Sequence, residues 1–147
     1  MLRQSVFGKT EWHIMRLRIL LAVIAASQFA LGGLTLFAPT SFFGWMGLTA
    51  PPADNRYILG MLGARFLAYG IGMAALARAA DPSLFWIRNM AFIQAVDLTV
   101  GLFYTANGTI GLAVSAFPMF NAAAFGLLLT LWGAMAGGSS SETPRSA

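Results

Sequence analysis

The chain has no cysteine, a single lysine (Lys9), a single histidine (His13) and few charges, with 10% of its 147 residues being Asp, Glu, Lys or Arg. Each scarcity removes a class of function. Without cysteine there is no disulfide, no thiolate nucleophile and no thiolate metal site. His13 lies outside the long apolar runs, which excludes a haem held by paired in-membrane histidines and leaves no Ser–His–acid triad in a core. Lys9 also lies outside them, which excludes a retinal Schiff base. There is no phosphate-binding glycine loop and no cluster of metal ligands. As a ligand, His13 has only a pigment or metal at an interface open to it, against the ordinary reading of a solvated or hydrogen-bonded imidazole. No catalytic residue and no metal site is nominated, and no enzymatic activity is expected.

Apolar residues are abundant instead. They make up 58% of the chain, with a mean hydropathy of +0.71, whereas a soluble domain carries about a quarter charged residues. The formal charge of +4 is concentrated before residue 19, in Arg3, Lys9, Arg16 and Arg18. That placement suits the anionic lipid of a cytoplasmic membrane face and not nucleic acid.

The expected fold class is all-α, a bundle of four transmembrane helices spanning about 19–37, 57–77, 84–104 and 110–136, since crossing the hydrocarbon takes about 20 apolar residues. Residues 1–18 read as a basic interfacial segment, or equally as a short tail with a polar collar. A cleaved signal peptide is the rival reading of the first run, but that run continues past Ala25 and Ala26 to Phe37. In the connection after it, Pro39, Pro51 and Pro52 exclude a continuous helix. Phe42, Phe43 and Trp45 suit a membrane interface, on a short flat helix near 41–46 capped by Thr40 or Ser41. The functional alternative is a lid or partner-docking loop. Pro82 and Ser83 suit the start of the third span. Asn107-Gly108 makes a turn, and its match to a glycosylation sequon is outweighed by that turn chemistry. Residues 137–147 read as a disordered tail.

Placing the N-terminus inside puts Arg3, Lys9, Arg16, Arg18, Arg78, Arg88 and Arg145 on the inner side and leaves Arg56 alone outside. The positive-inside rule therefore expects both termini in the cytoplasm.

Charge at depth is costly and needs a partner. Arg65 follows Tyr57 by eight residues and so lies about 12 Å below the outer boundary; Asp97, counted from Leu84, lies about 10 Å below it. The arithmetic predicts an Arg65–Asp97 ion pair. The alternatives are a protonated, proton-handling Asp97 and a pair formed between molecules. Gln28, Gln94 and Asn121 fall near the midplane, and Tyr69 lies one turn from Arg65. The expected buried polar layer is Arg65, Asp97, Gln94, Gln28, Asn121 and Tyr69. It reads as interhelical hydrogen bonding, or as a small polar cavity. No cofactor is expected, though such a layer leaves room for contact with lipid, quinone or pigment. Gly60, Ala64, Ala68 and Gly72 recur every four residues, a stripe that lets another helix approach closely. Pro118 removes a helical bond to the Val114 carbonyl, for which Ser115 is the expected substitute.

One further pattern carries a resemblance. The first helix ends in LFAP (36–39), WMGL follows (45–48), the second helix opens at Arg56 and continues GARFLAYGIGMAAL (63–76), and the third holds a basic residue near its start. This resembles the DoxX-like group of small bacterial four-helix membrane proteins, over about 19–135. The resemblance implies a bacterial inner-membrane protein of multi-pass topology. Some members of that group are subunits of membrane quinol-oxidising or redox assemblies. It brings no catalytic residue. The function expected is a non-catalytic accessory or scaffold subunit of a larger respiratory or photosynthetic membrane complex, partnered by lipid and by other membrane-protein subunits. The alternatives are a small-molecule or proton-linked transporter using the Arg65–Asp97 layer, and a membrane enzyme acting on lipid or quinone, for which no nucleophile is present.

Overall fold

A computed structural model describes residues 3–138, with side chains from 12 to 134. Among the described residues the chain is helical throughout, in five helices: α1 (Arg3–Phe37), α2 (Pro39–Trp45), α3 (Asn55–Arg78), α4 (Leu84–Ala106) and α5 (Leu112–Gly138). Contacts divide it into two units, Met1–Asp81 and Pro82–Ala147. Of the tail expected from 137, residues 137 and 138 close α5 and the remainder lies outside the described residues.

In the first unit α1 and α3 form an antiparallel hairpin. No proline precedes Pro39, so nothing stops the helix between Arg3 and Phe37. The basic lead is therefore continuous with the first apolar run, in a helix of 35 residues, about 52 Å long. One seam of α1 is buried: Leu17, Leu21, Ile24, Ala25, Gln28 and Thr35. Against it α3 sets Gly63, Gly70, Met73 and Leu76. The approach is close enough that a β-carbon on Gly63 would stand 2.6 Å from Leu36 Cγ and 3.1 Å from the Gly32 carbonyl oxygen. One on Gly70 would stand 2.9 Å from the Phe29 ring. Glycine is thus what lets these backbones touch. Two guanidiniums close the C-terminus of α3: Arg78 donates to the Ala74 carbonyl (3.3 Å) and Arg18 to that of Ala79 (3.2 Å). Cations there complement the helix dipole, and Arg18 occupies a carbonyl just past the helix end.

The α2 helix begins earlier than expected. Its N-cap is Ala38, with no side-chain cap bond, so neither Thr40 nor Ser41 serves. Pro39 explains the shift, because its fixed φ and missing N–H suit the first helical position. None of its residues is buried, and Phe42 packs edge-on to Phe43 with ring centroids 6.2 Å apart. Gly47, at φ 71°, then turns the chain.

In the second unit α4 and α5 form another antiparallel hairpin, with Ile87, Met90 and Gln94 buried on α4 and Ser115, Ala122 and Leu129 on α5. Its turn is built on Asn107-Gly108, with Gly108 at φ 76°. The Asn107 side-chain oxygen accepts from the Thr109 backbone N–H (3.0 Å) and hydroxyl (2.6 Å). Beside the turn, the Thr105 and Ser115 hydroxyls share a hydrogen bond of 2.7 Å and tie the two helices together. The second oxygen contact of Ser115 is the Gly111 carbonyl (3.4 Å). Its hydroxyl therefore does not serve the Val114 carbonyl, and α5 runs on through Pro118.

Three of these helices are long and apolar enough to cross a membrane, over Trp12–Phe37, Asn55–Arg78 and Leu112–Ala134. At 23 residues α4 is long enough as well, but Arg88, Asn89, Gln94 and Asp97 interrupt its apolar run.

Candidate functional site

The buried polar groups belong to separate hairpins. In the first unit Gln28 sits in the middle of the α1 seam. Its Oε1 is buried and has no hydrogen-bond partner among the described residues, although burying an amide oxygen without a partner is unfavourable. Its neighbours Ser27 and Thr35 are satisfied locally, donating to the Ile24 (2.8 Å) and Leu31 (2.6 Å) carbonyls. In the second unit Gln94 is buried against α5 and donates to the Met90 sulfur at 3.7 Å. Gly126 makes the room for it, since a β-carbon there would stand 3.3 Å from Gln94 Cβ.

The remaining members of the expected layer are less enclosed. Tyr69 and Asn121 are half-buried, whereas Arg65 and Asp97 are exposed. Each hairpin buries a seam of small and apolar residues, and the charged side chains project away from the seam of their own hairpin. Arg65 belongs to the first unit and Asp97 to the second.

Most of the small-residue stripe does not face α1. Gly60 is half-buried, with Leu36 at 4.0 Å from its added β-carbon position, but Ala64 and Ala68 are exposed and Gly72 has nothing within 4 Å. A strict spacing of four drifts by about 40° per step around a helix of 3.6 residues per turn. A stripe that begins on the seam at Gly60 has therefore left it within one turn. The contact runs instead through Gly63 and Gly70, seven residues apart, a spacing that holds its face. Those two glycines lie within the GARFLAYGIGMAAL segment, where the seven-residue interval was the available signal.

Sequence reasoning missed one feature, a groove of about 430 Å³ on the surface of the α4–α5 hairpin. Arg88, Ala91, Phe92 and Ala95 line it from α4, and Leu129, Thr130, Gly133 and Ala134 from α5. Arg88 is the one charged residue among the described residues that line it. Its signal in the sequence was small residues on both helices, Ala91 and Ala95 one turn apart on α4 and Gly133 on α5 beside Leu84 and Arg88. The Thr130 hydroxyl is engaged by the Gly126 carbonyl at 2.7 Å, so it offers no free donor there. Among the described residues no three His, Cys, Asp or Glu side chains are grouped to hold a metal ion.

The class these observations define is an all-helical protein with three helices able to cross a membrane. Compared with protein families, with curated proteins and with solved structures, the chain matches none.

Proposed function

We propose that the chain is a small integral membrane protein that crosses the bacterial inner membrane four times with both termini in the cytoplasm. It serves there as a non-catalytic accessory or scaffold subunit of a larger complex. The observation that carries this reading is the placement of its apolar side chains. Large hydrophobic residues face outward on each long helix: Ile71 on α3 is 63% exposed, Phe92 on α4 67%, and Phe120 on α5 70%. Large apolar side chains exposed on each hairpin are unfavourable in water and suit contact with lipid tails or with other membrane helices. The helices keep their backbone hydrogen bonds internal, as hydrocarbon requires. The Phe42–Phe43–Trp45 group on α2, with Trp45 exposed and both phenylalanines half-buried, suits an interfacial anchor. The fourth crossing is α4, whose length suffices and whose arginine lies within snorkelling distance of its end.

The accessory role rests on the outward face of α3. Ala64, Ala68 and Gly72 leave it shallow, and the DoxX-like resemblance leads in the same direction. Extraction in mild detergent, followed by native gels and mass spectrometry of the band, is expected to show defined protein partners at fixed stoichiometry. A strictly monomeric species with no co-migrating protein contradicts the accessory role.

A further inference from the structure

We propose that the α4–α5 groove seats one anionic phospholipid, with Arg88 holding the phosphate and an acyl chain lying along Ala91, Ala95 and Leu129. This rests on the membrane reading above. The groove's volume of about 430 Å³ falls within the range of small-molecule sites, roughly 300–1,000 Å³.

The chemistry of the groove is divided along its length. Arg88 follows the first residue of α4 by four positions, about 6 Å along the axis, and Ala95 lies a further 10 Å or so inward. The cation therefore stands at the end of the groove nearer the membrane surface, and the apolar floor leads toward the midplane. A phospholipid has the same polarity. A free phosphate would use the first end and leave the second empty.

The arginine is also set up for the task. A β-carbon on Gly133 would stand 3.9 Å from Arg88 Cγ, so the methylene stem lies against α5 while the guanidinium extends beyond it. The planar fork of a guanidinium matches two phosphate oxygens. Ser83 makes no side-chain cap bond at the start of α4, so the first-turn N–H groups add positive potential at the same end. The charge at the groove's rim is what favours lipid over a protein helix. No carboxylate accompanies Arg88 among the described residues lining the groove, so an occupant has to bring its own anion, and anionic lipid does so in abundance.

The test uses the purified full chain in a neutral detergent, titrated with palmitoyl-oleoyl phosphatidylglycerol or phosphatidylcholine and observed by native mass spectrometry. Wild type is expected to retain one phosphatidylglycerol, about tenfold more tightly than phosphatidylcholine, because both lipids offer Arg88 a phosphate but the choline cation of the second neutralises it and is repelled by the guanidinium. Arg88→Gln is expected to abolish that preference and Arg88→Lys to keep part of it. Ala95→Leu is expected to weaken both lipids by obstructing the chain. Equal retention of the two lipids by wild type, an unchanged preference in Arg88→Gln, or full retention by Ala95→Leu would each overturn the proposal. The membrane reading is checked separately by carbonate extraction of the wild-type chain from vesicles of the same two lipids. A chain released by carbonate refutes that reading. A chain that stays in the vesicles but shows no headgroup preference refutes the lipid seat alone.

Discussion

Replacing Gly63 with leucine is expected to force α1 and α3 apart and to destabilise their hairpin by about 3 kcal/mol, with the alanine variant costing about 1–3 kcal/mol. The geometry explains why this position is so sensitive. An added β-carbon would lie 2.6 Å from Leu36 Cγ, which a rotamer change relieves, but also 3.1 Å from the Gly32 carbonyl oxygen and 3.3 Å from the Leu36 backbone nitrogen. Backbone atoms of a helix do not rotate out of the way. The helices have to separate, and the whole seam from Leu17 to Thr35 loses contact with them. Gly72, about two and a half turns on, behaves oppositely. Nothing lies within 4 Å of its added β-carbon, so Gly72→Ala is expected to gain up to about 1 kcal/mol of helix propensity. Thermal unfolding in detergent, followed by circular dichroism, reads both. A Gly63 variant that melts with the wild type, or a Gly72 variant that loses as much as the Gly63 variant, contradicts the seam.

The second large effect concerns α5. Leu127 is 60% exposed and follows Leu112 by fifteen residues, near the middle of a helix about 40 Å long. Leu127→Arg is expected to raise the apparent insertion free energy by about 3 kcal/mol, roughly a hundredfold shift toward non-inserted chain. The same change in an aqueous protein would replace an exposed apolar side chain with a charged one and would improve its solubility. The two environments therefore predict opposite signs. Leu112→Arg is the matched control. Leu112 is equally exposed but sits at the first residue of the helix, where arginine snorkels to the interface at little cost. Membrane-fraction yield of the two variants distinguishes the cases.

The helices were legible in the sequence because their ends are punctuated. Pro51 and Pro52 precede α3, Pro82 precedes α4, and Asn107-Gly108 separates α4 from α5, so each of those helices falls within two residues of its expected bounds. The start of α1 lacked such a mark. Gly8 is the weakest helix former before the first apolar run at Ile19, and one glycine costs too little to break a helix of that length. Which face packs was much harder to read. When every face of a helix is apolar, hydrophobic periodicity carries little information, and the decision falls to where a side chain is missing. Gly60, Ala64, Ala68 and Gly72 made the more regular pattern, yet it is Gly63 and Gly70 that meet α1. Among the polar residues, Gln28 and Gln94 lie on the seams of their own hairpins, whereas Arg65 and Asp97, one residue class more costly to bury, project away from them. The groove beside Arg88 went unread because it consists of absences, Ala91, Ala95 and Gly133, spread over two helices.

The central claim is that α4 crosses the membrane as the other long helices do, although it is not among the three helices whose apolar run marks them as able to cross. The chain has no cysteine, so single introduced thiols report location against no background. Ala53→Cys lies between α2 and α3, Ala80→Cys between α3 and α4, and Ala106→Cys at the end of α4. The measurement is labelling with a membrane-impermeant maleimide, in intact and then in permeabilised cells. Four crossings with the termini inside predict labelling of the thiols at 53 and 106 in intact cells, and of the thiol at 80 only after permeabilisation. Thiols at 80 and 106 that label together, from the same side, contradict the account.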